Sequence, residues 1–193
     1  MQHQHIQNLE TKIISDERYT FKKVSFDYQG QDGKTHRQTR EVFDRGNGTC
    51  ILLYNPDTKN IILTRQFRLP TYLNGNKTGM LIEVCAGSVE DEDPKDCIIR
   101  ETEEETGYRI SHPTKIFEVY MSPGAVTETI TFFVAPYSPE MKVSSGGGLA
   151  DEHENIDVLE IPFADALKMV ESGELRDAKT IMLLQYAELK SLL

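Results

Sequence analysis

Glu101 and Glu105 stand four residues apart in the run Arg100-Glu-Thr-Glu-Glu-Glu-Thr-Gly-Tyr108. On a helix that spacing puts both carboxylates on one face, a turn apart, with Glu104 at its border. Like charges so placed repel, on the order of a few kcal/mol when close and partly buried at an effective dielectric near 20. A divalent cation turns the liability into a site. Mg²⁺ suits it, being a hard ion that takes oxygen ligands and keeps some of its waters; Mn²⁺ is an acceptable substitute. Arg100 precedes Glu104 by four and can hold that carboxylate by a bidentate contact. On composition alone, a solvated acidic helix without any ligand explains the run equally well.

The acids need a rigid carrier. Asp93-Pro94 opens a helix, with Asp as N-cap and Pro at the first helical position, and Gly107 closes it. Strand-like runs precede it at 49–54, 60–67 and 80–85 and follow it at 115–121, 129–136 and 156–161. Two helices finish the chain, at 163–172 and 177–193, the second with Met182, Tyr186, Leu189 and Leu193 marking an apolar face. The reading is an α/β protein, a mixed-sheet sandwich with helices on both sides. Before residue 45, segments 19–28 and 35–43 form a hairpin about Asp32-Gly33. A lone hairpin is marginal in water, so it needs another surface, in the main domain or in a second subunit. The stretch 138–155, with Ser144-Ser-Gly-Gly-Gly148, is expected to be a mobile loop.

The 193 residues carry a formal net charge of −10 with no long basic run, which disfavours nucleic acid and anionic membranes as partners. No stretch approaches the ~20 apolar residues of a membrane span, and MQHQHIQNLETK lacks the charged start and apolar middle of a secretory signal. Cys50, Cys85 and Cys97, an odd number set among apolar neighbours, read as reduced core thiols in the cytoplasm.

The segment 86–108 resembles the Nudix box: Gly, five residues, Glu, seven residues, then Arg-Glu-aliphatic-x-Glu-Glu-x-Gly-aliphatic. Gly87 opens it, Glu92 stands seven residues before Arg100, and the second half is nearly complete. It departs in having four residues between Gly87 and Glu92 and in replacing two aliphatics by Thr102 and Tyr108. Further segments, REVFDRGNG (40–48), RQFR (65–68), EVCAG (83–87), YMSPGAVTE (120–128), GGG (146–148) and RDAKT (176–180), are similar to the GDP-mannose pyrophosphatase branch of that family, which is related to the ADP-ribose pyrophosphatases. The resemblance implies a Nudix α/β/α sandwich over 46–193 and a small N-terminal β domain over 1–45, exchanged between the subunits of a homodimer.

It further implies metal ligation by Glu101, Glu105, the carbonyl of Ala86, and Glu154. The implied substrate contacts are Arg18, Thr39, Arg40, Glu41, Arg68, Ala86, Gly87, Ser88, Glu105, Glu128, His153, Glu154 and Lys179. Arg40, Arg68 and Lys179 suit phosphate oxygens or sugar hydroxyls, although each alone could be an ordinary surface cation. Thr39 stands where the family is expected to carry Lys. Glu128 closes the SPGAVTE loop, which is expected to reach the pyrophosphate, and is the candidate general base; Glu104 is its substitute. The implied reaction is Mg²⁺-dependent hydrolysis of a nucleoside-diphosphate sugar, GDP-mannose first, with Arg100, Glu104, Glu105 and Glu128 as the catalytic set. The alternatives are an ADP-ribose or ADP-sugar pyrophosphatase and a Nudix module that binds a nucleotide sugar without cutting it.

Overall fold

A computed structural model describes residues 5–149 and 154–193. The chain divides into two compact units, Met1–Asn47 with Val119–Ile130, and Gly48–Glu118 with Thr131–Leu193.

In the first unit β1 (Ile6–Asp16), β2 (Thr20–Gln29) and β3 (Thr35–Asp44) form a three-stranded sheet in that order. The expected hairpin is β2–β3, paired antiparallel from Thr20↔Asp44 to Gln29↔Thr35. Gly33, at φ 75°, supplies the left-handed residue of its turn. The hairpin is not alone, because β1 adds a third strand where the sequence shows no alternation. Every residue of β1 is exposed, so no buried face imposes a period of two. The strand is also irregular: its pairing shifts between Gln7 and Glu10 and between Ile13 and Ser15, and Asn8 sits at φ 50°. The segment closing on Glu128 is tied to the end of β3, since Phe43 donates to the Ala125 carbonyl at 2.8 Å and accepts from Thr127 at 3.1 Å.

A seven-stranded sheet organises the rest. β4 (Asn47–Tyr54), β5 (Asn60–Phe67), β8 (Thr114–Tyr120), β9 (Thr129–Pro136) and β10 (Asp157–Pro162) run in the order β10-β5-β4-β9-β8. β6 (Met80–Glu83) pairs with β5, and β7 (Cys85–Val89) with β4. The helices are α1 (Leu69–Leu73), α2 (Pro94–Thr106), α3 (Phe163–Ser172) and α4 (Ala178–Leu189). The core of the second unit joins Ile51, Leu53, Ile62 and Phe133 of the sheet to Ile98 of α2 and to Tyr108 and Ile110 beyond it. Cys50, Cys85 and Cys97 are buried free thiols.

The buried face of α4 differs from the expected stripe. Thr180, Leu183, Leu184 and Ala187 are buried, whereas Leu189 is 83% exposed. The face is set by Thr180, whose hydroxyl accepts from Val84 N at 2.8 Å. A polar residue that docks the helix escapes any search for apolar periodicity.

Candidate active site

α2 is delimited as its sequence demands. Asp93 caps it by accepting from Lys95 N at 2.8 Å, Pro94 follows, and Gly107 ends it at φ 77°. Two of its C-terminal carbonyls, which have no partner within the helix, are met by the glycine-rich segment, Gly147 N donating to Glu105 O at 2.9 Å and Gly148 N to Glu104 O at 3.1 Å, and just before it Val143 N donates to the carbonyl of the cap Gly107 at 2.8 Å. Gly146, Gly147 and Gly148 all have positive φ, which explains a run of three glycines. The stretch expected to be a mobile loop is thus docked on the helix through residue 148.

Both departures from the box pattern are accommodated. Thr102 is fully buried and satisfies its hydroxyl on the Ile98 carbonyl at 2.6 Å. Tyr108 packs edge-on against Tyr137 with ring centroids 4.9 Å apart. The shortened segment still delivers Glu92 to Arg100, 2.8 Å away.

The acidic side chains divide by burial. Glu105 is 3% exposed; its Oε2 accepts from Ala86 N at 3.3 Å. Burial, foremost, pushes its carboxyl up to about 8; the Cys85 thiol hydrogen-bonded to it opposes this, while Glu101 and Glu83 add to it. Glu101 is half-buried and pushed up to about 7, first by burial, against Arg100 and with help from Glu104 and Glu154. Arg100 gathers three acids: Nη1 meets Glu104 at 2.7 Å, and Nη2 meets Glu92 at 2.8 Å and Glu101 at 3.1 Å. Gly87 lies against Glu101 so closely that a Cβ there would collide with the carboxylate. Ser88, beside it on β7, is exposed and gives its carbonyl to the Cys97 thiol at 3.4 Å. Glu154 accepts from Leu149 N at 3.2 Å. His153, implied as a substrate contact, lies outside the described residues. Arg100, Glu104, Gly148 and Leu149 line one cavity of about 480 Å³.

Arg68 and Lys179 belong to the same unit and converge on Glu83, at 2.6 and 3.4 Å. Glu83 opens the EVCAG segment, but sequence reasoning gave it no role in the site, because a single acid in an apolar strand does not show which side chains it will meet. The remaining implied contacts lie in the first unit. Arg18 stacks over Tyr19. Thr39 shares a hydroxyl hydrogen bond of 2.9 Å with Ser25, Arg40 donates to Gln38 at 2.7 Å, and Glu41 is exposed on β3. Glu128 is 8% exposed and pairs with Arg45 at 3.3 Å.

A family model described as the NUDIX domain matches residues 44–184, and one for the GDP-mannose pyrophosphatase NudK N-terminal domain matches residues 5–43. The chain belongs to the Nudix hydrolases. Within that family it is similar to GDP-mannose pyrophosphatases from Shigella flexneri serotype 5b and from Escherichia coli O157:H7. Each is 48% identical over 190 residues, 98% of either chain. A crystal structure of an ADP compounds hydrolase shares the fold, with a TM-score of 0.72 at 19% identity over 97% of this chain and 96% of that one.

Nudix hydrolases work with divalent metal ions, and this chain offers a fitting donor set. Glu101, Glu105 and Glu154 are hard oxygen donors, two of them with carboxyls raised by burial in spite of Arg100 and Arg68 nearby. The glycine at 87 leaves the room that the Glu101 carboxylate itself occupies. Among the described residues no three such side chains are already drawn together as a finished cage. Arg100 holds Glu101 to one side, and Leu149 N holds Glu154.

Proposed function

We propose that this Nudix hydrolase cleaves the pyrophosphate bond of a nucleoside-diphosphate sugar in the presence of Mg²⁺, with GDP-mannose as substrate and GMP and mannose 1-phosphate as products. The observation that carries the proposal is the pair Glu101 and Glu105 one turn apart on α2, both carboxyls raised by burial, with the Glu101 carboxylate packed directly against Gly87 of β7. The relatives named as GDP-mannose pyrophosphatases supply the substrate.

Mg²⁺, held by Glu101, Glu105, Glu154 and the Ala86 carbonyl, would supply positive charge against the diphosphate and the transition state. Arg100 fixes the directions of Glu101 and Glu104 by the ion pairs described above. Arg68 and Lys179 are cations suited to phosphate oxygens. In the reaction, the oxygen of water bonds to one phosphorus as the bridging oxygen departs with the other phosphate. A carboxylate accepts the proton of the water; Glu128 is assigned that role, with Glu104 as the substitute. Arg18, Thr39, Arg40, Glu41, Ser88 and His153 are assigned to substrate by resemblance.

The proposal extends to a cytoplasmic homodimer that exchanges the N-terminal β domain, residues 1–45. Its support is β1, which exposes Ile6, Leu9, Ile13 and Ile14, an unusual load for a strand in water.

Purified protein is to be incubated with GDP-mannose, GDP-glucose and ADP-ribose, with Mg²⁺ and with excess chelator, and the products separated by ion exchange. Mannose 1-phosphate and GMP are expected with the cation alone. Intact sugar nucleotides in every tube refute the proposal, and faster cleavage of ADP-ribose moves the substrate to the adenine series. Light scattering on the eluted protein reads the dimer directly.

A further inference from the structure

Glu83 has no part in the site assigned so far, yet it is 2% exposed and lies at the centre of a charge cluster. Its Oε1 accepts from Arg68 Nε at 2.6 Å, and its Oε2 from Lys179 Nζ at 3.4 Å. Lys179 Nζ also donates to Asp177 Oδ1 at 2.7 Å. The other Asp177 oxygen takes both the N–H and the hydroxyl of Thr180, at 2.9 and 2.7 Å, and that hydroxyl accepts from Val84 N. The bonds thus run from β6 through α4 back to the residue following Glu83. Among these hydrogen-bonded side chains two carboxylates face two cations, and the buried carboxyl of Glu105 lies close enough to act on both Glu83 and Arg68.

As an adhesive this would be a poor arrangement. Removing each ion from water costs several kcal/mol, and well-packed apolar side chains usually stabilise as well or better. Its geometry serves another purpose. The Arg68 guanidinium is fixed through Nε alone; Nη1 and Nη2 donate to no described residue, and the side chain is 40% exposed. A planar fork held by one edge presents its other donors in a fixed direction, the form that bidentate binding of a phosphate needs. Lys179, 16% exposed, is held by two carboxylates and keeps a third donor.

We propose that Glu83 is a positioning residue for diphosphate binding: without touching substrate, it sets the directions of Arg68 and Lys179. This rests on the reading of those two cations as diphosphate contacts. Charge alone argues for the opposite effect, because a carboxylate beside the cations weakens their pull on a phosphate. Removing it therefore separates orientation from field. If orientation dominates, binding weakens; if field dominates, binding tightens.

The test is steady-state hydrolysis of GDP-mannose at saturating Mg²⁺ by the full-length protein and its Glu83→Ala and Glu83→Gln variants. Glu83→Gln retains an acceptor for Arg68 Nε but turns a donor toward Lys179, and it keeps the test alive should Glu83→Ala fail to fold. KM is expected to rise about tenfold in Glu83→Ala and less in Glu83→Gln, in the range seen for residues that orient a primary contact. The value of kcat should change less than about threefold, the signature of lost ground-state and transition-state binding alike. In an Arg68→Ala background the effect of Glu83→Ala on KM should shrink, since two residues acting as one unit are not additive. A purely structural role would lower the melting temperature and the active fraction with KM unmoved. An unchanged or lowered KM in a folded variant overturns the inference while the functional reading stands. Wild-type protein that cleaves no sugar nucleotide overturns both.

Discussion

The carboxylate of Glu105 on α2 accepts a hydrogen bond from the backbone N–H of Ala86 on β7 at 3.3 Å, which fastens the acidic helix to the strand whose carbonyl is its proposed co-ligand. The same carboxylate is almost wholly buried. Glu105→Gln keeps the shape and an acceptor for Ala86 N but removes the charge. We expect turnover of GDP-mannose to fall by at least about a hundredfold, the upper range for disturbed metal sites. The far-ultraviolet circular dichroism should not change. Full activity in the variant would remove Glu105 from the site.

Burial raises the carboxyls of Glu101 and Glu105 to about 7 and about 8, and the direction fixes how metal-free stability depends on pH. A carboxyl whose folded value lies above its unfolded one binds its proton more tightly in the folded chain. Its stabilisation is complete below the ordinary value of 4.5 and lost as pH climbs through 7 and 8. Metal-free protein should therefore lose melting temperature between pH 5.5 and 8.5 more steeply than Glu105→Gln does. Divalent cations bind the ionised form, so affinity for Mg²⁺ should rise over the same interval and binding should release protons. Calorimetry in buffers of different ionisation enthalpy measures that release, and proton-neutral binding at pH 6.5 would contradict it.

Gly87 is needed for space. A Cβ at that position meets the Glu101 side chain, so Gly87→Ala must displace the carboxylate or the strand. Overpacking of this kind costs about 1–3 kcal/mol. The larger effect is expected in function, as a marked rise in the Mg²⁺ concentration for half-maximal activity. Gly87→Ala with ordinary Mg²⁺ dependence would show that Glu101 is not held where the cation binds.

The helix and its caps were readable because their signals are local: Asp93, Pro94 and Gly107 each act within one turn of themselves. Thr102 and Tyr108 looked like defects in the family pattern, yet a threonine can satisfy its hydroxyl on the preceding turn and still pack its methyl group. β1 was invisible because an entirely exposed strand has no alternation to read. Glu83 was in view within EVCAG, but its role was not. Its partners stand 15 and 96 residues away in the chain, and only the fold brings them to one carboxylate. Thr102→Val tests the first point: with the buried methyl kept and the hydroxyl exchanged for a second methyl, stability should change by no more than about 1 kcal/mol, read by chemical denaturation.

Two carboxylates compete for the role of general base, and their surroundings differ. Glu104 has Oε2 committed to Arg100 at 2.7 Å, in a guanidinium that also serves Glu92 and Glu101. Displacing it disturbs the anchor of a proposed metal ligand. Glu128 is buried, with a longer and single ion pair to Arg45 at 3.3 Å, and its segment is braced by Phe43 on both sides of Val126. A base needs an uncommitted lone pair, and Glu128, braced within its own unit, keeps one beside its single ion pair. Glu128→Gln should therefore lower kcat by about 10²–10⁴-fold, the usual contribution of a general base, with its Mg²⁺ dependence unaltered. Glu104→Gln should act mainly by raising the Mg²⁺ requirement, because Arg100 loses a partner and Glu101 shifts with it. A variant pair with the opposite pattern would transfer the proton to Glu104 and leave Glu128 as a substrate contact.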